Sequence, residues 1–308
     1  MQKLAVIDCG TNTFHLLVVT LNSSEINIAD RLQIPVKLGE GGINRQTIVP
    51  AAFARGISAL KIFSDRITEN KVDTVVAFAT SAIRSSDNGE EFVRFARKET
   101  GIELVTISGL REAELIFKGV CHAYPMTDEN VLVMDIGGGS VEFIIGNRAG
   151  ISWQGSFDIG AARLVEEFHK SEPIDPVEVE SLNLYLDGKL DELHKVIQQF
   201  RVSKLVGSAG SFDSICELVN EFYHRSLLSN GEKWCEIPMN EYKTIHQALL
   251  QSNLEDRKNM KGLVDYRVEM IVVASCLIAF VLRKYSLSHL FCSVYSLKEG
   301  VVFENLDS

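Results

Sequence analysis

Short apolar runs alternate along the chain with longer segments in which apolar residues recur every three or four positions. Runs of about five apolar residues bounded by glycine, asparagine or small hydroxyl residues fit strands, and the longer spacing fits amphipathic helices. Leu4 to Ile7 and Phe14 to Val19 flank Asp8-Cys9-Gly10-Thr11-Asn12-Thr13, and Val131 to Met134 and Val141 to Ile145 flank Asp135-Ile136-Gly137-Gly138-Gly139-Ser140. One pattern, strand then tight turn then strand, therefore occurs twice. After the first copy the patterning predicts a third strand over Glu25 to Leu38, a helix over Ala51 to Asn70, a strand over Val72 to Ala79 and a loop over Thr80 to Asp87. A helix over Glu90 to Thr100 stopped at Gly101, a strand over Ile102 to Ile107 and a helix marked by Ala113, Ile116, Phe117, Val120 and Tyr124 complete this half.

The second half repeats that order with longer insertions. A third strand is expected near Ile151 to Phe157, helical stretches from Gly160 to Phe200, and a strand over Val202 to Val206. The small-residue turn Gly207 to Ser211 then opens a helix over Phe212 to Phe222, and Tyr223 to Glu236 reads as polar and irregular. Helices near Glu241 to Ser252 and Tyr266 to Tyr285, a strand over His289 to Val294 and a last helix from Lys298 follow. A chain of 308 residues accommodates two domains of ordinary size. The repeat divides it into 1–125 and 126–308, with the boundary near Pro125 to Glu129 and two lobes closing on a shared cleft.

Composition narrows the partners. A net charge of −10 argues against broad electrostatic capture of nucleic acid or anionic membrane, so a polyanionic ligand would need a local basic cluster. The six cysteines form no CxxC pair and mostly sit in apolar segments, as small buried hydrophobes of a reducing compartment do. The longest apolar run, Met270 to Leu282, is shorter than the ~20 residues of a membrane-spanning helix and is bracketed by arginines, so a buried helix and a cytoplasmic protein are expected.

The duplicated turn is the first candidate site. A glycine-rich turn exposes several backbone N–H groups, and with an aspartate at the strand end it would cradle a phosphate and its metal ion; an ordinary hairpin would use the same residues. No GxxxxGK[ST] occurs, and a strand rather than a helix follows the glycines, unlike a dinucleotide fingerprint. Glu142 stands in the otherwise apolar stretch Val141 to Ile145, where an unpaired buried carboxylate would be costly. A divalent cation shared with Asp135 would compensate it, as would an edge strand turning Glu142 to water; His15 holds the equivalent place in the first copy. Glu112 begins a helix, where the helix dipole favours a carboxylate and Glu114 can pair with Lys118; a general base there would need burial or neighbouring anions to raise its pKa. Arg84, in the loop after a strand, suits phosphate oxygens or plain solvent, and Gly207 to Ser211 offers a helix N-terminus for an anion or merely a small-residue turn.

Taken as an ordered set, the two turns, Thr80 to Arg84, Ser108-Gly109-Leu110-Arg111-Glu112-Ala113, Gly207 to Ser211 and Leu297-Lys298-Glu299-Gly300 resemble the exopolyphosphatase and guanosine pentaphosphate phosphohydrolase family over essentially the whole chain. The resemblance implies an α/β fold of two ribonuclease-H-like lobes, as in the actin, Hsp70 and sugar-kinase superfamily, with an interdomain cleft. It implies metal-dependent removal of a terminal phosphate from inorganic polyphosphate or guanosine pentaphosphate, and a homodimer. By position, Glu112 would activate water, Asp135 and Glu142 would hold Mg²⁺ or another divalent cation, and Arg84 would clamp the phosphate. Thr11, Asn12 and Thr13, with Gly137, Gly138, Gly139 and Ser140, would bind the terminal phosphate, and Gly207 and Ser208 would contribute to the same subsite. The chain departs from the family in reading Arg111-Glu112-Ala113-Glu114, with the charges beside the base exchanged, and in carrying Lys298 where arginine is frequent. Those exchanged charges leave a non-catalytic sensor of either ligand as an alternative; a kinase of the same superfamily is disfavoured by a water-activating glutamate.

Overall fold

A computed structural model describes residues 2–21, 26–228 and 231–306. Its first sheet is built from β1 (Gln2–Cys9), β2 (Thr13–Leu21), β3 (Ile26–Pro35), β4 (Thr74–Ala79) and β5 (Leu104–Thr106) in the order β3-β2-β1-β4-β5. The second comprises β6 (Val131–Ile136), β7 (Val141–Asn147), β8 (Gly150–Phe157), β9 (Lys204–Ser208), β10 (Trp234–Ile237) and β11 (His289–Ser293) in the order β10-β11-β9-β6-β7-β8. Each sheet opens with an antiparallel three-strand meander and continues with parallel strands beside its first strand. The topology is that of the two ribonuclease-H-like lobes expected from the sequence, with β10 as an added edge.

Helices α1 (Pro50–Glu69), α2 (Ser81–Arg84), α3 (Gly89–Thr100) and α4 (Gly109–Ala123) accompany the first sheet. With the second come α5 (Ala161–Phe168), α6 (Pro176–Lys189), α7 (Asp191–Ile197), α8 (Gly210–Tyr223), α9 (Met239–Gln251), α10 (Leu254–Lys258), α11 (Ile271–Lys284) and α12 (Leu297–Leu306). The apolar run from Met270 to Leu282 is buried within α11 and its start, and no helix among the described residues is long and apolar enough to cross a membrane. Five of the cysteines are buried, Cys121 is half-buried, and all six thiols are free.

Three elements differ from the patterning. Thr80 to Asp87 is no simple loop: α2 coils within it because Ala82 and Ile83 turn into the first lobe's core, and Arg84 N–H closes the turn onto Thr80 O at 2.9 Å. The polar stretch Tyr223 to Glu236 contains most of β10, which pairs antiparallel with β11; residues 229–230 lie outside the described residues. The helix expected from Tyr266 begins only at Ile271, and Asp265–Arg267 forms a separate 3-10 turn that sets Arg267 beside the cleft. Glu25, the start of the expected third strand, also lies outside the described residues, and the chain leaves β3 at Pro35.

A third core lies between the sheets. Leu4 and Val6 of β1, Val131 and Val133 of β6, Ile116 and Val120 of α4, and Val301 and Val302 of α12 pack together there. The last helix thus returns to pack on α4, and both helices tie the two sheets into one body around the cleft.

Candidate active site

The two hairpin turns are built alike. Gly10 N–H donates to Thr13 O (3.1 Å) and Gly137 N–H to Ser140 O (3.0 Å), closing each turn across the same spacing. Behind the second turn, Ala161 N–H donates to Gly137 O (2.9 Å), Ala162 N–H to Gly138 O (2.9 Å) and Gly160 N–H to Gly139 O (3.3 Å). A trans peptide directs its N–H opposite its C=O, so the amides of Gly138, Gly139 and Ser140 face away from α5, toward the cleft these residues line. The loop after β3 does the same for the first turn: Gly39 N–H donates to Thr11 O (3.1 Å), and Val36 (2.9 Å) and Lys37 (2.8 Å) N–H groups donate to Asn12 O. The amides of Asn12 and Thr13 are thereby turned the other way.

These turns meet across a cleft of about 420 Å³. A Cβ on Gly139 would stand 2.4 Å from Ser81 Oγ and 2.7 Å from Thr11 Oγ1, so only glycine permits this approach. Both hydroxyls are buried without a hydrogen-bond partner among the described residues. Buried polar atoms are rarely left unsatisfied, and two of them at one cleft mark a place for a polar ligand. Ser81 was not among the residues singled out from sequence; its aim into the cleft comes from the coiling of α2.

The strand register then sets the acids. Asp135 stands opposite Glu142, and Asp8 opposite His15. Glu142 is only 1% exposed in a strand paired on both sides, which removes the edge-strand alternative. Burial, with Glu112 and Asp135 adding to it, holds its pKa well above the ordinary glutamate value, opposed by the hydroxyl of Ser156 donating to Oε1 at 2.7 Å. Asp135 is pushed up to about 7, chiefly by burial, despite Ser208 Oγ donating to Oδ2 at 3.0 Å. Asp8 rises to about 7 by burial and the nearby Glu112. His15 moves the other way: burial, then Lys298, Arg267 and Arg31, hold it neutral, with Thr13 Oγ1 2.9 Å from its Nε2.

Glu112 sits in the first turn of α4, capped by Ser108 Oγ accepting from Arg111 N–H at 3.1 Å. Burial raises its pKa, with Arg84 pulling against it: Arg84 Nη1 donates to Glu112 Oε2 at 2.9 Å and to Ile107 O at 3.0 Å. Arg111 points elsewhere, pairing with Glu114 (3.0 Å) and with Glu304 of α12, so the exchanged charge beside Glu112 serves helix packing. Gly207 lies under the Phe212 ring and Ser208 serves Asp135, while Ala209 and Gly210 reach the cleft. A Cβ on Gly210 would lie 1.9 Å from Arg267 Nη2, so its absence admits this guanidinium, which also lies over the Tyr266 ring at 5.6 Å. Arg267 and Lys298, both lining the cleft, form with Arg31 the local basic group that an acidic protein needs for a polyanion. Only the tertiary fold brings Arg267 there, and no local sequence signal marks it.

Among the described residues no three or more His, Cys, Asp or Glu side chains are gathered as a metal site. The facing pair Asp135 and Glu142 nonetheless suits a hard cation such as Mg²⁺, which commonly binds through one or two carboxylates, completing its shell with water and substrate phosphate. The raised pKa values carry a sign. In metal-free protein the unfolded chain releases its aspartate protons near pH 4, while Asp8 and Asp135 keep theirs to about 7. The fold binds more protons across that window, so stability falls as pH rises through it and levels off above. The thermal midpoint in chelator is therefore expected to drop between about pH 5 and pH 8, and Mg²⁺ to raise it more at the upper end; calorimetry at both values checks this.

Opposed amide-lined turns over buried acids, carried on two ribonuclease-H-like lobes, define a two-lobed α/β protein whose cleft is suited to an anion. The chain belongs to the Ppx/GppA phosphatase family, whose model matches residues 17–308. It is similar to an exopolyphosphatase of known structure from Cytophaga hutchinsonii, at 38% identity and a TM-score of 0.96 over 99% of this chain and 98% of that one. A Haemophilus influenzae relative, provisionally named an exopolyphosphatase, is 27% identical over 98% of this chain and 91% of its own length. A bifunctional 3-dehydroquinate synthase/phosphatase from Fusobacterium nucleatum is 28% identical over 99% of this chain, which spans 46% of that protein. The protein is a phosphohydrolase enzyme of the exopolyphosphatase-like type.

Proposed function

We propose that the protein is an exopolyphosphatase that hydrolyses the terminal phosphate of inorganic polyphosphate in the cleft between lobes 1–125 and 126–308. The observation that carries this reading is the pair of opposed turns, with the orphaned hydroxyls of Thr11 and Ser81 between them and Glu112 within the same cleft. In this reading the amides of Asn12, Thr13, Gly138, Gly139 and Ser140 hold the terminal phosphate, with Gly137, Gly207 and Ser208 shaping and bracing the subsite. Asp135 and Glu142 would hold Mg²⁺ or another divalent cation, and the ion would supply charge neutralisation to the phosphate. Glu112 takes a proton from water as its oxygen attacks the terminal phosphorus, and the anhydride P–O bond breaks toward the shortened chain. An entering phosphate competes with Glu112 for Arg84, freeing the carboxylate as the guanidinium closes on the substrate. Phosphoryl transfer asks chiefly for positioning and charge neutralisation, and this inventory supplies both.

Guanosine pentaphosphate is the second reading, favoured by Tyr266 with Arg267 at the cleft wall, a flat face on which a base can stack. Orthophosphate release from polyphosphate in Mg²⁺, its loss in chelator, and a ranking of the two substrates by kcat/KM test both. No orthophosphate from polyphosphate overturns the first reading. The resemblance also points to a homodimer, which light scattering coupled to gel filtration measures directly.

A further inference from the structure

We propose that Arg163 is a positioning residue, a latch that locks the two phosphate turns into register from behind the cleft; this rests on the catalytic reading above. Arg163 stands on α5 with 8% of its surface exposed. Its Nε donates to Gly139 O at 2.8 Å, within the second turn. Its Nη1 donates to Ile43 O at 2.8 Å and approaches Asn44 Oδ1 at 3.4 Å, and its Nη2 donates to Ser85 Oγ at 3.2 Å, all in the first lobe. Asn44 Nδ2 answers by donating to Arg163 O at 3.4 Å. The nearest carboxylate is that of exposed Asp158, at 3.8 Å, so neutral oxygens from both lobes satisfy a nearly buried cation.

The bonds reach both turns. Gly139 O is held by Arg163 and by Gly160 N–H, which fixes the plane of the following peptide and hence the aim of Ser140 N–H at the cleft. On the other side, Ile43 N–H donates to Gly39 O at 2.9 Å, and Gly39 N–H in turn supports Thr11 O. One planar fork thus joins the supports of the two turns, and its three directions cannot be reproduced by a lysine ammonium on a flexible stem. A phosphate held from both sides needs the two turns at a set separation, and misplacement by about 1 Å can cost about 100-fold in rate.

The test compares Arg163→Lys and Arg163→Met with the native protein by initial rates on polyphosphate and by amide hydrogen exchange. The latch predicts a kcat fall of about 10- to 100-fold with a smaller change in KM, the lysine variant keeping the higher kcat. It also predicts faster exchange confined to 39–45 and 138–140. Should Arg163 only support the fold, exchange would rise throughout the chain with a lowered thermal midpoint and the two kinetic constants would not separate; native kcat with native exchange equally overturns the latch. Ser85→Ala, which leaves the buried cation intact, guards against a variant that does not fold and is expected to give a smaller kcat loss of the same kind. If polyphosphate is not the substrate, no form releases orthophosphate, yet the local exchange difference persists, so the two failures are distinguishable.

Discussion

Glu112→Gln is expected to lower kcat on polyphosphate by about 100- to 10,000-fold, the range for removal of a positioned general base, while substrate affinity holds or improves. The amide fills the same volume and its oxygen can still accept from Arg84, and the Ser108 cap on α4 does not involve this side chain. What disappears is the negative charge. Arg84 loses its ionic partner and becomes freer to meet a phosphate, so KM should not rise. Burial already raises the proton affinity of Glu112, which brings a glutamate nearer the neutral range where a base works best. The base must be ionised, so kcat/KM in the native enzyme should fall as pH drops through that raised pKa, and the glutamine variant should lose this limb. Orthophosphate release and calorimetric titration with polyphosphate measure the two effects; near-native turnover would remove Glu112 from the role.

Replacing either facing carboxylate, as in Asp135→Asn or Glu142→Gln, is expected to raise the Mg²⁺ concentration needed for half-maximal activity by about tenfold or more, equivalent to about 1.4 kcal/mol or more of ion binding. Burial disfavours the ionised form of both acids, and the Asp135 carboxylate adds to the cost at Glu142, so removing one charge relieves it. The same variants should therefore be more stable than the native protein in chelator, although less active with Mg²⁺. Gln at 142 can still accept from Ser156 Oγ and Asn at 135 from Ser208 Oγ, so neither change strips a buried hydroxyl of its acceptor. A purely structural acid would give the opposite pairing, with stability lost and the Mg²⁺ dependence unmoved. The chelator melts separate these accounts.

Much of this was legible along the chain, because the signals are local. The five-residue apolar runs, the helical spacing of Phe53, Ile57, Leu60 and Phe63, and the stop at Gly101 all report on neighbours within a turn or a strand. The misread stretches failed where a distant partner overrode the local pattern. The strand β10 is drawn into order by β11 about fifty residues away, as edge strands commonly are by their neighbours. The isolated turn at Asp265–Arg267 is likewise set by its place at the cleft rather than by apolar spacing.

By itself the sequence determined the two hairpin turns, the acid at each strand end, the apolar setting of Glu142 and the helix start at Glu112, since each depends on residues a few positions apart. The tertiary structure alone decided that the turns face each other, that Arg84 pairs with Glu112 and Arg111 does not, and that Arg163 spans the supports of both turns. It also decided that Arg267, Lys298 and Ser81 share one cleft. Those contacts join residues tens to hundreds of positions apart, within one lobe or across the two, so no pattern of near neighbours records them.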